Sequence, residues 1–361
     1  MLHATNSRII LGDNPFSIAP ELDVVQTPKT DVPLWNETWF FSSWSPETEV
    51  GFFIHAGVHP TDPTKWYAQV IAYLPEGRLV VDRSFGRSVP GKGPSTGNFS
   101  VVTVAPLKRW RLRFDGAGEL TTSERSGLGV TGAGPSVPMS FDVEVSAAGP
   151  MWDLFAATGM EDLYWAGIHH EQNTASRGQL TVDGQTWEID GYGFRDHSTG
   201  PRNFVSLGGD RFWGFVSPTT GRGTQGIRVW DRQGNPELAT AAYYYGDTVE
   251  IVNGEISITG LEDTCGHPKD LEFRLLRPNG ERLVAHGRIL HTVTISILDP
   301  NSNVNGIWLD DDPLILSESQ VRFDWPDGDV FYGHLERVAR LADLSIPEID
   351  AVSPLDRSTT R

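Results

Sequence analysis

The chain has 361 residues, enough for two domains of ordinary size or one large β domain, and a peptide-sized scaffold is excluded. Lys and Arg total 29 against 47 Asp and Glu, a formal charge of −18 that repels nucleic-acid phosphates and anionic lipid headgroups. The lone cysteine, Cys265, leaves no intramolecular disulfide, no thiolate metal site and no CxxC redox pair.

Short apolar runs with period-2 alternation follow one another from the first third of the chain: Trp35–Ser43, Gly51–Val58, Trp66–Leu74, Arg78–Phe85, Phe99–Val104, Trp110–Phe114 and Phe141–Val145, with more after residue 160. Asp115-Gly116, Asp183-Gly184, Gly234-Asn235, Asn253-Gly254, Asn279-Gly280 and Asp327-Gly328 read as hairpin turns between such runs. Helix-period patterns are confined to Trp152–Leu163 and Leu335–Leu344. The expected fold is therefore all-β, an antiparallel meander of barrels or sandwiches. The chain divides best near residue 160, giving units 1–160 and 161–345 and a polar tail, 346–361. The N-terminus lacks a basic start followed by an apolar stretch, and no apolar run is long enough for a membrane span, so a cytoplasmic location is expected.

The stretch from Tyr164 to Phe204 carries the densest chemistry and reads as one long hairpin. With Asp183-Gly184 as a two-residue turn, residues whose numbers sum to 367 face each other, so Glu171 stands opposite Asp196 and His170 opposite His197. Alternation then puts His170, Gln172, Arg195 and His197 on one face and His169, Glu171, Asp196 and Ser198 on the other. Two carboxylates side by side in an apolar cavity do not both ionise, which makes Glu171 and Asp196 candidates for a general acid. The competing reading pairs each with backbone donors or an arginine. His170 and His197 are either proton-transfer groups or imidazoles that hold the strands together, and Arg195 binds a ligand oxygen or fixes a carboxylate. A metal site is a third option, since His169, His170, Glu171, Asp196 and His197 supply nitrogen and oxygen ligands, although side chains on adjacent, oppositely pointing positions do not converge easily.

Twelve tryptophans invite a comparison between core packing and an aromatic ligand pocket. Trp39, Trp165, Trp213, Tyr192 and Tyr244 are the candidates for lining such a pocket, with Glu37, a charge inside an aromatic strand, as a further candidate acid. No phosphate-binding glycine loop, HExxH or GxSxG motif is present.

HHEQ at 169–172, DGQTWEIDGYGFRDHSTGPRNF at 183–204 and FYGHLER at 331–337, together with Trp35–Phe41 and Trp110–Phe114, resemble the two-domain lipocalin-like proteins that include hydroxyneurosporene synthase, a carotenoid hydratase, and the AttH proteins. The resemblance implies two tandem calycin-like antiparallel β-barrels with few short helices. It also implies a hydrophobic pocket in which relatives hydrate an isoprenoid double bond or cyclise a polyene, with no cofactor. Kievitone hydratase and fungal lipocalin-like pericyclases are more distant kin. Its motif positions fall on His170, Glu171, Arg195, Asp196 and His197, and Thr199 stands where a bulkier residue is expected. The leading expectation is an acid-catalysed hydratase, dehydratase or cyclase acting on a carbon–carbon double bond of a small hydrophobic, isoprenoid substrate. A non-catalytic carrier and a pericyclase that works by shape are the alternatives.

Overall fold

The computed structural model describes residues 3–4, 8–12, 14–59, 62–87, 93–127, 132–160, 164, 166–297 and 314–340. Each expected apolar run is a strand, mostly longer than its alternation suggested. In chain order the strands of the first half are β1 (His3–Ala4), β2 (Arg8–Leu11), β3 (Trp35–Ser45), β4 (Val50–His59), β5 (Asp62–Leu74), β6 (Arg78–Arg87), β7 (Phe99–Ala105), β8 (Arg109–Thr122), β9 (Ser136–Ala147) and β10 (Trp152–Asp153). The hairpin follows as β11 (Ile168–Val182) and β12 (Gln185–Pro201). The remainder are β13 (Leu207–Val216), β14 (Gly223–Asp231), β15 (Pro236–Tyr245), β16 (Thr248–Leu261), β17 (Pro268–Leu276), β18 (Arg282–Ile297), β19 (Leu314–Asp324) and β20 (Val330–Arg340).

Two closed arrangements result. Strands β13 to β20 pair in sequence, and β13 also pairs β20, which closes an eight-stranded barrel. The other sheet runs β11-β12-β3-β4-β5-β6-β8, and β9 bridges β8 back to β11 to make a second, ring-like antiparallel sheet. The long hairpin thus belongs to the first ring, where β12 lies against β3 and β11 against β9. The chain crosses to the second barrel between Pro201 and Leu207, well beyond the division expected at 160. Strands β1 and β2 also depart from that division, since they attach to β15 and β16 of the second barrel. Alternation identifies a strand but carries no information about a partner more than a hundred residues away, which is why the boundary was misplaced. The expected tail, 346–361, lies outside the described residues.

Helix is confined to short pieces. α1 (Ser123–Gly127) and α2 (Leu154–Thr158) are single turns, the second capped by Asp153, whose carboxylate accepts from Phe155 N and Ala156 N, and stopped by Gly159 in the left-handed conformation. Leu335–Arg340, expected as part of a helix, is strand, because its odd and even positions serve different apolar layers and its backbone pairs with both β13 and β19. Residues 341–344 of that expectation lie outside the described residues. Asp115-Gly116 and Asn253-Gly254 are likewise within β8 and β16 rather than at turns. At Gly254 a side chain would meet Ala241 Cβ at 2.7 Å and the Trp213 ring at 3.3 Å, so packing, not a turn, requires the glycine there.

Both lumens are filled by side chains, as eight strands allow. Trp39, Phe41, Phe52, Trp110, Leu112 and Val143 are among those filling the first ring, and Trp213, Phe215, Phe273, Phe323 and Phe331 among those filling the second barrel. A third apolar layer lies between the two bodies and includes Phe40, Phe53, Tyr73 and Phe194 from the first and Phe212, Val229, Leu316 and Val338 from the second. Polar links cross the same layer. Asn173 Nδ2 donates to Thr224 O at 3.0 Å and to Tyr244 Oη at 2.9 Å, and Tyr73 Oη donates to Glu318 O at 3.2 Å. His291 Nε2 donates to Arg78 O at 3.1 Å, leaving Nδ1 to accept from Ser123 Oγ at 2.9 Å.

The bodies approach closely where Phe194 lies over Gly214: a Cβ at Gly214 would fall 2.1 Å from the Phe194 ring. Gly214→Ala is therefore expected to lower unfolding stability by about 1–3 kcal/mol through overpacking. Denaturant titration checks this, and an unchanged midpoint would show that the interface yields freely.

Candidate functional site between the barrels

The hairpin keeps one register along its whole length, from Ile168 opposite Thr199 to Val182 opposite Gln185. Its turn residues Asp183 (φ 48°) and Gly184 (φ 80°) are both left-handed, as a type I′ turn requires. Glu171 and Asp196 are accordingly cross-strand neighbours, as are His170 and His197. The two faces of the hairpin, however, lead to different places.

One face points into the lumen of the first ring, where its residues satisfy one another. Arg195 Nη2 donates to Asp23 Oδ1 at 2.7 Å, Nε donates to Gln172 Oε1 at 3.3 Å, and the guanidinium lies 4.0 Å from the Trp110 ring centre. His197 Nε2 donates to Glu37 Oε1 at 2.8 Å, and Trp39 Nε1 donates to the same oxygen at 3.0 Å while its ring stacks on His197 at 4.0 Å. The backbone N of Gln26 donates to both Glu37 oxygens. His170 Nε2 stands 3.5 Å from Asp153 Oδ2, and burial holds its imidazole below the usual range. Asp23, Glu37, Arg195 and His197 have no accessible side-chain surface, so this network holds the strands to the segment that precedes β3.

The other face looks across at the second barrel. A register row runs over five strands as Gln69, His55, Phe40, Asp196 and Glu171. His169, two positions before Glu171 and on the same face of β11, ties the row together: its Nε2 is 3.1 Å from Glu171 Oε1 and 3.1 Å from Asp196 Oδ2. Its ring stacks on Phe212 of the second barrel at 5.1 Å. Burial opposes a charge on His169, but the two carboxylates outweigh it and raise the imidazole to about 10. The carboxylates themselves diverge. Burial raises Glu171 to about 7, and its Oε2 is buried without a hydrogen-bond partner among the described residues. For Asp196 burial acts upward as well, yet His169, Arg202 and His55 together carry it below the usual carboxylate range.

The second barrel presents its own acids to this face. Asp210 on β13, Glu318 on β19 and Glu336 on β20 are raised by burial and by one another, Glu318 to about 8 and the other two well above the carboxylate range. Glu336 stands opposite Glu318 and diagonally from Asp210 in the register of their strands, and His334 Nε2 donates to Glu318 Oε2 at 2.8 Å. Burial keeps His334 neutral, down to about 3. His55, Asp196 and Glu336 are half-buried among largely buried neighbours, Asp196 keeping 19 % of its side-chain surface open, so water reaches part of each of these side chains. Asp196 Oδ1 makes a long contact, 3.5 Å from Ser198 Oγ. The neighbouring wall is Phe40, Phe212, Tyr67 and Arg202, the last donating to Thr38 Oγ1, Ser198 O and Ser198 Oγ.

Of the residues singled out in the sequence, the structure brings Glu171 and Asp196 together on this face. Tyr192 lies on the same face nearer the hairpin turn, and Tyr244 is in the interface layer on Asn173. His170, His197, Arg195, Glu37 and Trp39 are in the lumen of the first ring, and Trp213 is in that of the second barrel, edge-on to Phe273 at 6.0 Å. Trp165 lies outside the described residues. His169 was placed on the correct face but given no role, and Asp210, Glu318 and Glu336 were not singled out. Charges inside the apolar runs LILSESQVRF and VFYGHLERVA were the available signal for the last two.

The family model described as "Domain of unknown function (DUF7064)" matches residues 19–336. The chain belongs to that family. No curated protein matches its sequence. Among solved structures it is similar to an AttH protein from Nitrosomonas europaea, with 12% identity, a TM-score of 0.59 and coverage of 89% of this chain and 98% of that one. It is also similar to kievitone hydratase from Nectria haematococca, with 12% identity, a TM-score of 0.53 and coverage of 92% and 98%. At this identity the likeness is one of fold, and the fold is the two-barrel architecture of the AttH-like proteins.

The titration of these groups has a thermodynamic consequence. His55, His267 and His291 are lowered by burial to about 4 and His334 to about 3, so each adds stability as pH rises through the unfolded value of 6.5. Glu171 and Glu318, raised to about 7 and about 8, act oppositely: their contribution is full below the unfolded value of 4.5 and is lost as pH climbs through the folded one. His169, raised to about 10, behaves the same way above 6.5. Unfolding stability is expected to fall steadily from pH 7 to pH 9, measured as the denaturant midpoint; a midpoint that rises over that interval contradicts the assignments.

Proposed function

We propose that the protein catalyses acid-dependent chemistry at a carbon–carbon double bond of a small hydrophobic substrate, isoprenoid or polyene, held where the two barrels meet beside Asp196 and Glu336. The observation that carries this reading is the gathering of five carboxyl groups where the two barrels meet, Glu171, Asp210 and Glu318 buried and Asp196 and Glu336 half-buried, beside the rings of Phe40, Phe212 and Tyr67. Protonating an alkene needs an acid that still holds its proton at the working pH and an environment that tolerates the resulting cation. Carboxyls driven in opposite directions by their surroundings supply an acid and a base together, and Phe40, Phe212 and Tyr67 supply π faces for the cation. Water or an internal nucleophile then captures the cation, giving hydration or cyclisation; the reverse sequence is dehydration. Kievitone hydratase, a neighbour in fold, bears a name of the same reaction class, which supports hydration as the direction to test first. The carboxylate face of the hairpin, rather than its Arg195 and His197 face, is the working face on this reading.

The test is incubation of the full chain with a panel of isoprenoid alkenes and polyenes in ¹⁸O-labelled water, with mass spectrometry of bound and released material. Labelled alcohol is the expected result. Alkenes that bind stoichiometrically and are recovered unchanged would make the protein a carrier and overturn the reading.

A further inference from the structure

The acid cluster of the second barrel has a feature that the first lacks. Glu336 stands directly opposite Glu318 in the β19–β20 register and diagonally from Asp210 across β13 and β20, and carboxyl groups placed side by side do not all ionise but share protons. Glu318 in turn accepts from His334, whose ring is wedged against Phe40 at 4.8 Å and Phe194 at 6.4 Å. The chain is therefore His334, Glu318, Glu336, Asp210, spread over β20, β19 and β13, with more acceptor oxygens than donors until protons are added. Of its three carboxyls, Glu318 and Asp210 are buried and Glu336 alone is half-buried, on the side that looks towards Asp196. On the facing barrel, Asp196 has Oδ2 engaged by His169 and the positive charge of Arg202 nearby. The two walls differ accordingly: a cation-rich wall that stabilises a carboxylate and an acid-rich wall that retains protons.

We infer that Glu336 is the proton donor of the site, that Glu318 and Asp210 hold and replenish its proton, and that Asp196 is the complementary base. This assignment rests on the function proposed above and reverses the role given to Asp196 from the sequence. In the forward step the Glu336 O–H bond breaks and the alkene π pair forms a C–H bond, leaving a cation on the adjacent carbon and a carboxylate on Glu336. Water adds to the cation and gives its proton to Asp196; in a cyclisation the product cation loses a carbon-bound proton to Asp196 instead. Return of that proton from Asp196 to Glu336 restores the starting state, so hydration consumes one water and cyclisation consumes nothing. The groups facing Glu336 are Glu318, Asp210 and Asp196, and those facing Asp210 include Arg211 and His169. An amide imitates a protonated carboxyl in size and charge, so Glu336→Gln should fold.

The test combines infrared spectroscopy of the full chain with turnover of the isoprenoid alkene panel. At pH 8 the wild type should show the carbonyl stretch of protonated carboxyl groups, weakened in Glu336→Gln and separately in Glu318→Gln. Turnover in Glu336→Gln should drop by about 10²–10⁴-fold while retention of the alkenes and the thermal midpoint stay near wild type. Absence of the protonated-carboxyl band in the wild type overturns the inference whatever the turnover. Wild-type turnover in Glu336→Gln overturns the donor role and leaves the proposed function standing, whereas a wild type that binds alkenes and converts none overturns both.

Discussion

Asp196→Asn should reduce turnover by about 10²–10⁴-fold, the range that a positioned acid or base contributes, while alkene binding persists. The amide keeps the shape of the side chain and its contact with Ser198, but it can neither accept a proton from water nor balance the His169 imidazolium. Binding should persist because the rings of Phe40 and Phe212 are untouched. Glu171 moves in compensation. With Asp196 neutral, Glu171 is the carboxyl group left in contact with His169, at 3.1 Å, so Glu171 should ionise at lower pH than in the wild type. A pH–rate profile of the residual activity measures this, and full activity in Asp196→Asn would remove the hairpin from the chemistry altogether.

The largest expected effect on stability belongs to a residue with no expected part in turnover. Arg195 and Asp23 have no accessible side-chain surface and meet at 2.7 Å. Arg195→Met leaves a buried carboxylate without its partner and removes the guanidinium from above Trp110, and breaking such a buried pair typically costs about 3–5 kcal/mol. Asp23→Asn in the same chain should recover most of the loss, since the uncompensated charge disappears with it. The check is a double-mutant cycle by denaturant unfolding. Single and double variants that unfold at the same midpoint would indicate that the pair is idle. A selective loss of alkene binding in Arg195→Met, with stability intact, would move the working face to the lumen of the first ring.

What the sequence made legible was local. Asp183-Gly184 demands two left-handed residues and hence a type I′ turn, and from that single constraint the whole register of Ile168–Thr199 follows, including the Glu171–Asp196 pair. Alternation then separated His169, Glu171 and Asp196 from His170, Arg195 and His197. Which face met a ligand space was not legible, because that depends on β3 lying beside β12 and on β13, β19 and β20 packing across it, contacts made by segments up to 300 positions apart in the sequence. Trp39 and Trp213 illustrate the same limit. A tryptophan in an alternating strand is equally suited to a filled lumen and to a pocket wall, and here both fill lumens. Asp210, Glu318 and Glu336 were legible as charges in apolar strands; Glu318 and Glu336 face each other across the sequential pair β19–β20, but the approach of Asp210 was not legible, since it is created by the closure of the second barrel through β13 and β20.

The domain division shows how a correct element list can still yield a misplaced boundary. Residues 147–163 contain a proline, a glycine stop and a helical turn, the composition of a linker, yet β10 and α2 pack on β11 and the ring continues to Pro201. The long hairpin closes the first ring and also supplies part of the face on which the second barrel sits.

The most direct measurement is turnover of the isoprenoid alkene panel in D₂O, with the position of deuterium in the product located by NMR. Protonation of the double bond places one solvent deuterium on carbon whether the cation is then captured by water or by ring closure, and that single C–D bond is the predicted result. A product formed without deuterium on carbon would contradict proton transfer from the interface acids and leave shape as the source of catalysis.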